Sequence, residues 1–263
     1  MPSRPPSTRS VAQTDGPGSL GAVGSSYHQF CPVSKAMELL DERWTMLVVR
    51  ELVTGSQRFN DLRRGLPKMS PTLLSKRLGQ LARAGLVERH VDGNEVHYLL
   101  TPAGEELRPI VEALGAWGVR WIGHLGEEDL DPSLLLWDMH RNVDHAAVPT
   151  GRTVVHFQFP DVPPPSRHWW LVITADDVDV CDTDPGHDVS VSIKGDLRCV
   201  TQLWRGDITW SEALRSGRIA MYGPDTLRRG LPDWFVPSRF ASILRAPQPL
   251  PPVHAAESRR PAL

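Results

Sequence analysis

Residues 58–100 read RFNDLRRGLPKMSPTLLSKRLGQLARAGLVERHVDGNEVHYLL, and the fold turns on them. Ser70-Pro71 marks a helix start, because serine can cap and proline at the first helical position already has the required φ. Leu73, Leu74, Leu78 and Leu81 then recur at helical spacing until Gly85. The stretch Phe59–Arg64 predicts a short helix just before it. Leu86–Val91 and Val96–Leu100 flank Asp92-Gly93-Asn94-Glu95, and Asp-Gly between two apolar runs predicts a β-hairpin.

Helix, tight connection, helix and hairpin is the order of a winged helix-turn-helix. The helix from Ser70 turns its leucines to a core, and its spacing predicts Thr72, Ser75, Lys76, Arg77, Gln80 and Arg83 on the outer side. Such hydrogen-bonding and cationic side chains reach base edges and phosphates. Between Arg58 and Arg89 there are eight Lys and Arg against Asp61 and Glu88, in a chain of net charge −2. A local basic patch of this kind suits duplex DNA. Expected DNA contacts are Arg58, Ser70, Thr72, Ser75, Lys76, Arg77 and Gln80, with Arg77 and Lys76 foremost. The hairpin tip carries Asp92 and Glu95, which phosphate repels, so Arg89, His90 and His97 lower on the hairpin are the better wing contacts.

Further out, Cys31-Pro32 opens a helix with Val33, Ala36, Met37 and Leu40 on one face, and Trp44–Thr54 predicts a second, closed by Gly55. Thr101-Pro102 starts another, whose stripe is Leu107, Ile110, Leu114, Trp117, Trp121 and Leu125. At roughly 100–200 residues per domain, 263 residues allow two domains. The texture changes once. Residues 27–125 are helical, 126–152 predict a linker, and 153–246 are strand-rich, making the whole an α+β chain. Strands are expected at Thr153–Phe159, Trp169–Ala175, Val178–Asp182, Val189–Lys194 and Arg218–Tyr222. Leu197–Trp204 predicts a helix, Thr209-Trp-Ser-Glu212 a capping box, and Leu227–Leu231 a further short helix. Residues 1–26 are rich in Pro, Ser and Gly and residues 247–263 in Pro, compositions that predict disorder. The first of these has no apolar core of a secretion leader, and three Cys cannot build a disulfide framework, so a cytoplasmic setting is expected. The longest apolar runs, such as Met46–Val49 and Leu134–Trp137, fall far short of the ~18 residues of a membrane span.

The motifs Cys31-Pro-Val, Trp44-Thr, Arg50-Glu-Leu, Arg58-Phe-Asn-Asp-Leu-Arg-Arg, Leu66-Pro, Ser70-Pro and Ala84-Gly-Leu-Val-Glu-Arg89 closely resemble the HxlR-type family of bacterial transcription regulators, relatives of the MarR group. The likeness runs from about Phe30 to Trp117. It implies a homodimer on a palindromic operator, more often a repressor, with the helix from Ser70 as recognition helix and Val87–Tyr98 as the wing. The second half, over about Arg152 to Ser238, resembles the sterol-carrier-like domain appended to some such regulators. The motifs are His156-Phe-Gln-Phe, Trp169-Trp-Leu-Val-Ile, Asp184-Pro-Gly-His-Asp-Val, Leu203-Trp-Arg-Gly-Asp207 and Glu212–Ile219. That resemblance implies an apolar tunnel for a small hydrophobic effector, with Phe157, Phe159, Trp169, Trp204, Trp210 and Leu214 as candidate lining. The competing reading makes these side chains plain core.

The stripe after Thr101 is larger than a small winged domain covers, so a second protomer is the expected partner. Cys31 sits where a helix N-terminus lowers a thiol's pKa, making it a candidate redox residue. The cluster Cys181-Asp-Thr-Asp-Pro-Gly-His187-Asp188 has metal-ligand types, but Asp-Pro-Gly is turn chemistry, so no metal is expected. No nucleophile elbow, phosphate loop or HExxH occurs, so neither enzyme activity nor a cofactor is expected. The alternative function is a hydrophobic-ligand carrier or interaction module whose winged half mainly dimerises.

Overall fold

The computed structural model describes residues 26–250. The tails expected to be disordered fall, for residues 1–25 and 251–263, outside the described residues.

The first half is built from α1 (Pro32–Leu40), α2 (Thr45–Val53), α3 (Phe59–Gly65), α4 (Pro71–Arg83), β1 (Val87–Asp92) and β2 (Glu95–Leu100). The short helix α5 (Pro102–Glu105) and the longer α6 (Arg108–Trp121) follow. Ser70 caps α4, its hydroxyl accepting from Leu73 N–H at 3.3 Å. Leu74, Leu78 and Leu81 join Val48, Val49, Leu52, Leu62 and Val87 in one core. β1 and β2 pair antiparallel with Asp92 opposite Glu95, and Gly93 takes φ +56° in the turn. This is the expected winged arrangement. The single helix expected from Thr101 to Leu125 is broken at Glu106-Leu107, and α6 ends at Trp121, so Leu125 lies beyond it. Pro109 explains the break: it cannot donate to the turn before it.

The second half holds a five-stranded sheet, with α7 (Pro132–His140) before it. The strands are β3 (Thr153–Gln158), β4 (His168–Ile173), β5 (Val178–Cys181), β6 (Val191–Gly195) and β7 (Ile219–Tyr222). Their order is β5-β4-β3-β6-β7, with β3 and β6 parallel and every other pair antiparallel. Three helices complete this half: α8 (Leu197–Trp204), α9 (Trp210–Arg215) and α10 (Asp225–Gly230). The capping box forms as read, with Thr209 Oγ accepting from Glu212 N–H and Glu212 Oε2 accepting from Thr209 N–H. Leu197 and Val200 of α8 and Ala213 of α9 pack on Val155, Phe157, Leu171, Ile173 and Ile193 of one sheet face.

Two expectations fail here. Residues 126–152 are not a linker, since α7 buries Leu135, Leu136 and Met139 in the second core and Val148 follows them in. Residues 247–250 are not loose either. Leu250 N–H donates to Trp121 O at 2.7 Å, just after Ala246 N–H reaches Arg120 O at 2.8 Å. Helix α6 ends with carbonyls that lack helical partners, and this segment supplies two donors. Upstream, Phe240 lies so close to Gly115 that a Cβ there would fall 2.3 Å from its ring. Residues 238–250 thus form a strap along α6.

The halves are joined by ions. Glu51 of α2 is 2 % exposed. It accepts from Arg50 Nη2 at 2.8 Å, from Ser56 Oγ at 3.2 Å and from Arg141 Nη2 at 2.7 Å. A Cβ on Gly65 would sit 1.9 Å from Glu51 Oε2, so α3 approaches this carboxylate as only glycine allows. Arg141, just past α7, also donates to Thr54 Oγ1. Arg64 and Arg141 each lie 5.2 Å from the Trp137 ring.

Candidate nucleic-acid interface

Helix α4 offers one polar face. Thr72, Ser75, Lys76 and Arg83 are exposed, and the spacing of Thr72, Lys76 and Arg83 sets them on one side, as the 3.6-residue period demands. Ser70 is exposed at the helix start, where its hydroxyl is engaged as the cap.

Arg77 corrects the expectation. It is 6 % exposed. Its Nε donates to Arg43 O at 3.1 Å, Nη1 to Gln80 Oε1 at 2.6 Å and Nη2 to Glu42 Oε2. The guanidinium ties α4 to the loop before α2, where Trp44 holds φ +78°, a conformation unusual for a non-glycine residue. It does not face a groove. The signal was in the spacing: Arg77 stands three residues after Leu74 and four before Leu81, inside the buried stripe. Gln80, half-buried, accepts from Arg77 and is drawn off the outer face with it.

Other charges are also committed. Arg58 pairs with Glu95 at 2.5 Å across the wing, both side chains more than half exposed. An exposed pair of this sort is worth only about 0–1 kcal/mol, so a phosphate can displace the carboxylate. Glu95 also meets His97 at 3.3 Å, and His90 meets Glu88 at 3.0 Å. The acidic tip is therefore partly neutralised by the protein itself. Lys68 Nζ donates to Glu128 O. Arg63, Lys76, Arg83 and Arg89 are exposed and make no ion pair among the described residues. Arg83 lies on the outer face as its spacing predicts, while Arg63 enters the expectation only through the basic surplus.

Helix α6 has no buried residue. Ile110, Leu114 (53 % exposed), Trp117 (49 %) and Trp121 remain open along it. Val33 and Met37 of α1 are exposed too. Cys31 is half-buried at the start of α1, and the amide groups of Ser34 and Val33 hold its thiol below the usual value. Cys199 and Cys181 are pushed the other way by burial.

The six candidate lining residues of the second half do not converge on one tunnel. Phe157 and Phe159 are buried in the core, and Phe157 meets Phe235 edge-on at 6.4 Å between ring centroids. Trp169 Nε1 donates to Ser166 O at 2.9 Å, and the ring borders a cavity of about 220 Å³ with Arg64 and Trp137. Trp204 Nε1 donates to Asp138 Oδ2 at 2.7 Å and borders a different cavity of about 330 Å³. Trp210 is half-buried and Leu214 exposed. In the Cys181–Asp188 segment, Asp184 Oδ1 accepts from Gly186 N–H at 2.8 Å and Gly186 has φ +72°, which is turn chemistry.

With this geometry in hand, the likeness to known proteins is specific. The model of the HxlR-like helix-turn-helix family matches residues 39–125. The HTH-type transcriptional regulator YvaP of Bacillus subtilis (strain 168) is 37 % identical over 111 residues, which make up 41 % of this chain and 95 % of that one. The HTH-type transcriptional regulator sll1512 of Synechocystis is 37 % identical over 108 residues, 40 % of this chain and 78 % of its own. Among solved structures, the reduced form of the transcriptional regulator YodB from B. subtilis shares 32 % identity with a TM-score of 0.31, covering 34 % of this chain and 92 % of that one. The two curated relatives and the matching family are transcriptional regulators, not enzymes. Among the described residues no helix is long and apolar enough to cross a membrane. The chain belongs to the HxlR-like helix-turn-helix family, and it is a DNA-binding transcriptional regulator of that type.

Proposed function

We propose that the protein is a homodimeric repressor that binds a palindromic operator in the cytoplasm, with its second half as the sensing module for a small effector with an apolar body. The observation that carries this is the pairing of two unmatched surfaces. The face of α4 bearing Thr72, Ser75 and Lys76 is exposed and cationic, and the apolar row on α6 is uncovered. A two-fold dimer buries the second and duplicates the first, which suits two half-sites about one helical turn, or a multiple of it, apart. Arg89, His90 and His97 on the hairpin, with Arg58 released from Glu95, are the flanking phosphate contacts. Lys76, Thr72 and Ser75 are the base-reading candidates.

The test is selection of bound duplexes from a random-sequence pool, followed by sedimentation of the free and bound protein. An inverted repeat bound by two chains is expected. Leu114→Glu with Trp117→Glu is expected to yield monomers with weakened binding. A non-repeated site bound by one chain, or a double variant that stays dimeric, overturns the dimer reading. The sterol-carrier likeness supports a ligand-binding second half in general terms only, because Phe157 and Phe159 are spent on the core.

A further inference from the structure

The cavity of about 330 Å³ lies where the halves meet, and its walls come from both. Val53 at the end of α2, the following Thr54, and Val111 and Glu112 of α6 form one side. Leu134, Leu135 and Asp138 of α7 and Trp204 of α8 form the other, and Phe240 of the strap closes the third. The volume falls at the lower end of the range for small-molecule sites, roughly 300–1,000 Å³.

Charge decides what fits. Three arginines border the space, and each has a carboxylate partner, although Arg141 Nε is buried without a hydrogen-bond partner among the described residues. Arg50 and Arg141 share Glu51, and Arg239 Nη1 donates to Glu112 at 3.1 Å. The three aspartates make no ion pair among the described residues, although the Arg205 charge acts on Asp129. Asp131 Oδ1 caps α7 through Ser133 N–H, Asp129 Oδ2 takes Gly126 N–H, and Asp138 Oδ2 takes Trp204 Nε1–H. All three donors are neutral. The second oxygens of Asp129, Asp131, Asp138 and Glu112 accept no hydrogen bond among the described residues. The lining thus holds five carboxylates against three guanidiniums, beside an indole and a phenyl ring. Carboxylate oxygens with aromatic faces attract a desolvated ammonium, and the aliphatic wall takes its hydrocarbon body.

We infer that this inter-half cavity is a binding site for an organic cation, an amine with an aromatic or aliphatic body, and that its occupancy is read by α6 and the strap. The coupling part rests on the regulator reading above; the binding part does not. The ligand would touch Glu112 on the helix assigned to dimer contact and Phe240, which is seated on Gly115 of that helix. A ligand that favours one setting of α6 changes the spacing of the two recognition helices, and only such differential affinity can shift the population.

The test is isothermal titration of the full-length chain with 4-phenylbutylamine, 4-phenylbutanol and 4-phenylbutyrate, which share a body and differ in charge. The amine is expected to bind at least tenfold tighter than the carboxylate. Asp138→Asn with Glu112→Gln, near-isosteric changes, is expected to weaken the amine at least fivefold and leave the alcohol within twofold. A carboxylate that binds as tightly as the amine, an unmoved amine affinity in the double variant, or no heat at millimolar amine overturns the site. In a separate arm, saturating amine is expected to change operator affinity at least threefold in the parent and not in the double variant. Amine binding with unchanged operator affinity overturns the coupling alone. A parent that binds no operator refutes the regulator reading instead, and leaves the titration result standing.

Discussion

Arg77 and Lys76 are neighbours in sequence with opposite expected phenotypes. Arg77→Ala removes three hydrogen bonds from a side chain that is 6 % exposed, one of them to a carboxylate. Charged hydrogen bonds contribute about 1.5–3 kcal/mol each when truncated, and neutral ones about 1. Glu42 is over a third exposed and can hydrate once released, which offsets part of the loss. Arg43 O keeps no such donor, and the left-handed turn at Trp44 loses its clamp. The net cost should be about 2–3 kcal/mol, a fall in Tm on the order of 5–10 °C for a chain of this size. Lys76→Ala touches an exposed residue and should stay within about 0.5 kcal/mol. Its operator affinity should drop and the salt slope of binding should flatten by about one unit, the mark of one lost phosphate contact, or the preference for one base pair should relax. Thermal unfolding by circular dichroism and fluorescence anisotropy at several salt concentrations, well below either Tm, separate the two. Arg77→Ala with unchanged Tm and a larger loss of DNA affinity than Lys76→Ala would refute the buried role and mean that the guanidinium leaves its niche to read DNA.

Three further outcomes follow from the chemistry of single groups. With its pKa lowered by the Ser34 and Val33 amides, Cys31 carries more thiolate at neutral pH than Cys181 or Cys199, so iodoacetamide should label it first in mass spectra; prior labelling of Cys199 would refute this. His140 is pushed down to about 4, chiefly by burial, from an unfolded value near 6.5. The unfolded chain therefore takes the proton first, and stability that is complete above pH 6.5 falls as pH drops to 4, by at most about 3 kcal/mol. His140→Asn should flatten urea midpoints across that window, and an unchanged slope would count against it. Glu51→Gln leaves Arg50 and Arg141 facing a neutral group in a buried setting, where breaking an ion pair costs about 3–5 kcal/mol; an unmoved urea midpoint would show that water already serves those guanidiniums.

The winged half was legible because its signals are local. Ser70-Pro71 caps, the leucines mark one stripe, and Asp92-Gly93 turns the hairpin, each within a few residues. The strands and the Thr209–Glu212 box follow the same logic. What escaped depends on contacts remote in sequence. The segment Pro132–His140 has no helical period, because α7 is gripped by the second core on one side and by α3 on the other, and an element covered all round loses its polar face. Its flanking acidic and histidine-containing turns then pass for linker. The end of the strap, residues 247–250, opens a Pro-rich tail that looks unfoldable by composition, yet its order comes from carbonyls of α6 that only the fold presents. Arg77 was misplaced for another reason: charge suggested solvent, while its position between Leu74 and Leu81 required the interior, and the position won because Glu42 and Arg43 O stand ready to satisfy it.

The joint between the halves bears on function through its stiffness. Glu51 meets Arg141 at 2.7 Å while Gly65 presses on the same carboxylate, so α2, α3 and the end of α7 share one buried charge. Such a group has few tolerable alternative positions, since any displacement leaves a buried ion unpaired. The opposite margin of the cavity is softer. Arg239 and Glu112 form a nearly half-exposed pair, which costs little to break, and Phe240 rests on a glycine rather than between interlocking side chains. A ligand entering between them will therefore move the strap and α6 before it moves α2 or α3. The displacement is delivered to the helix left uncovered in the monomer and not to the core beneath α4. A signal sensed there would alter the separation of two intact recognition helices rather than unfold either one.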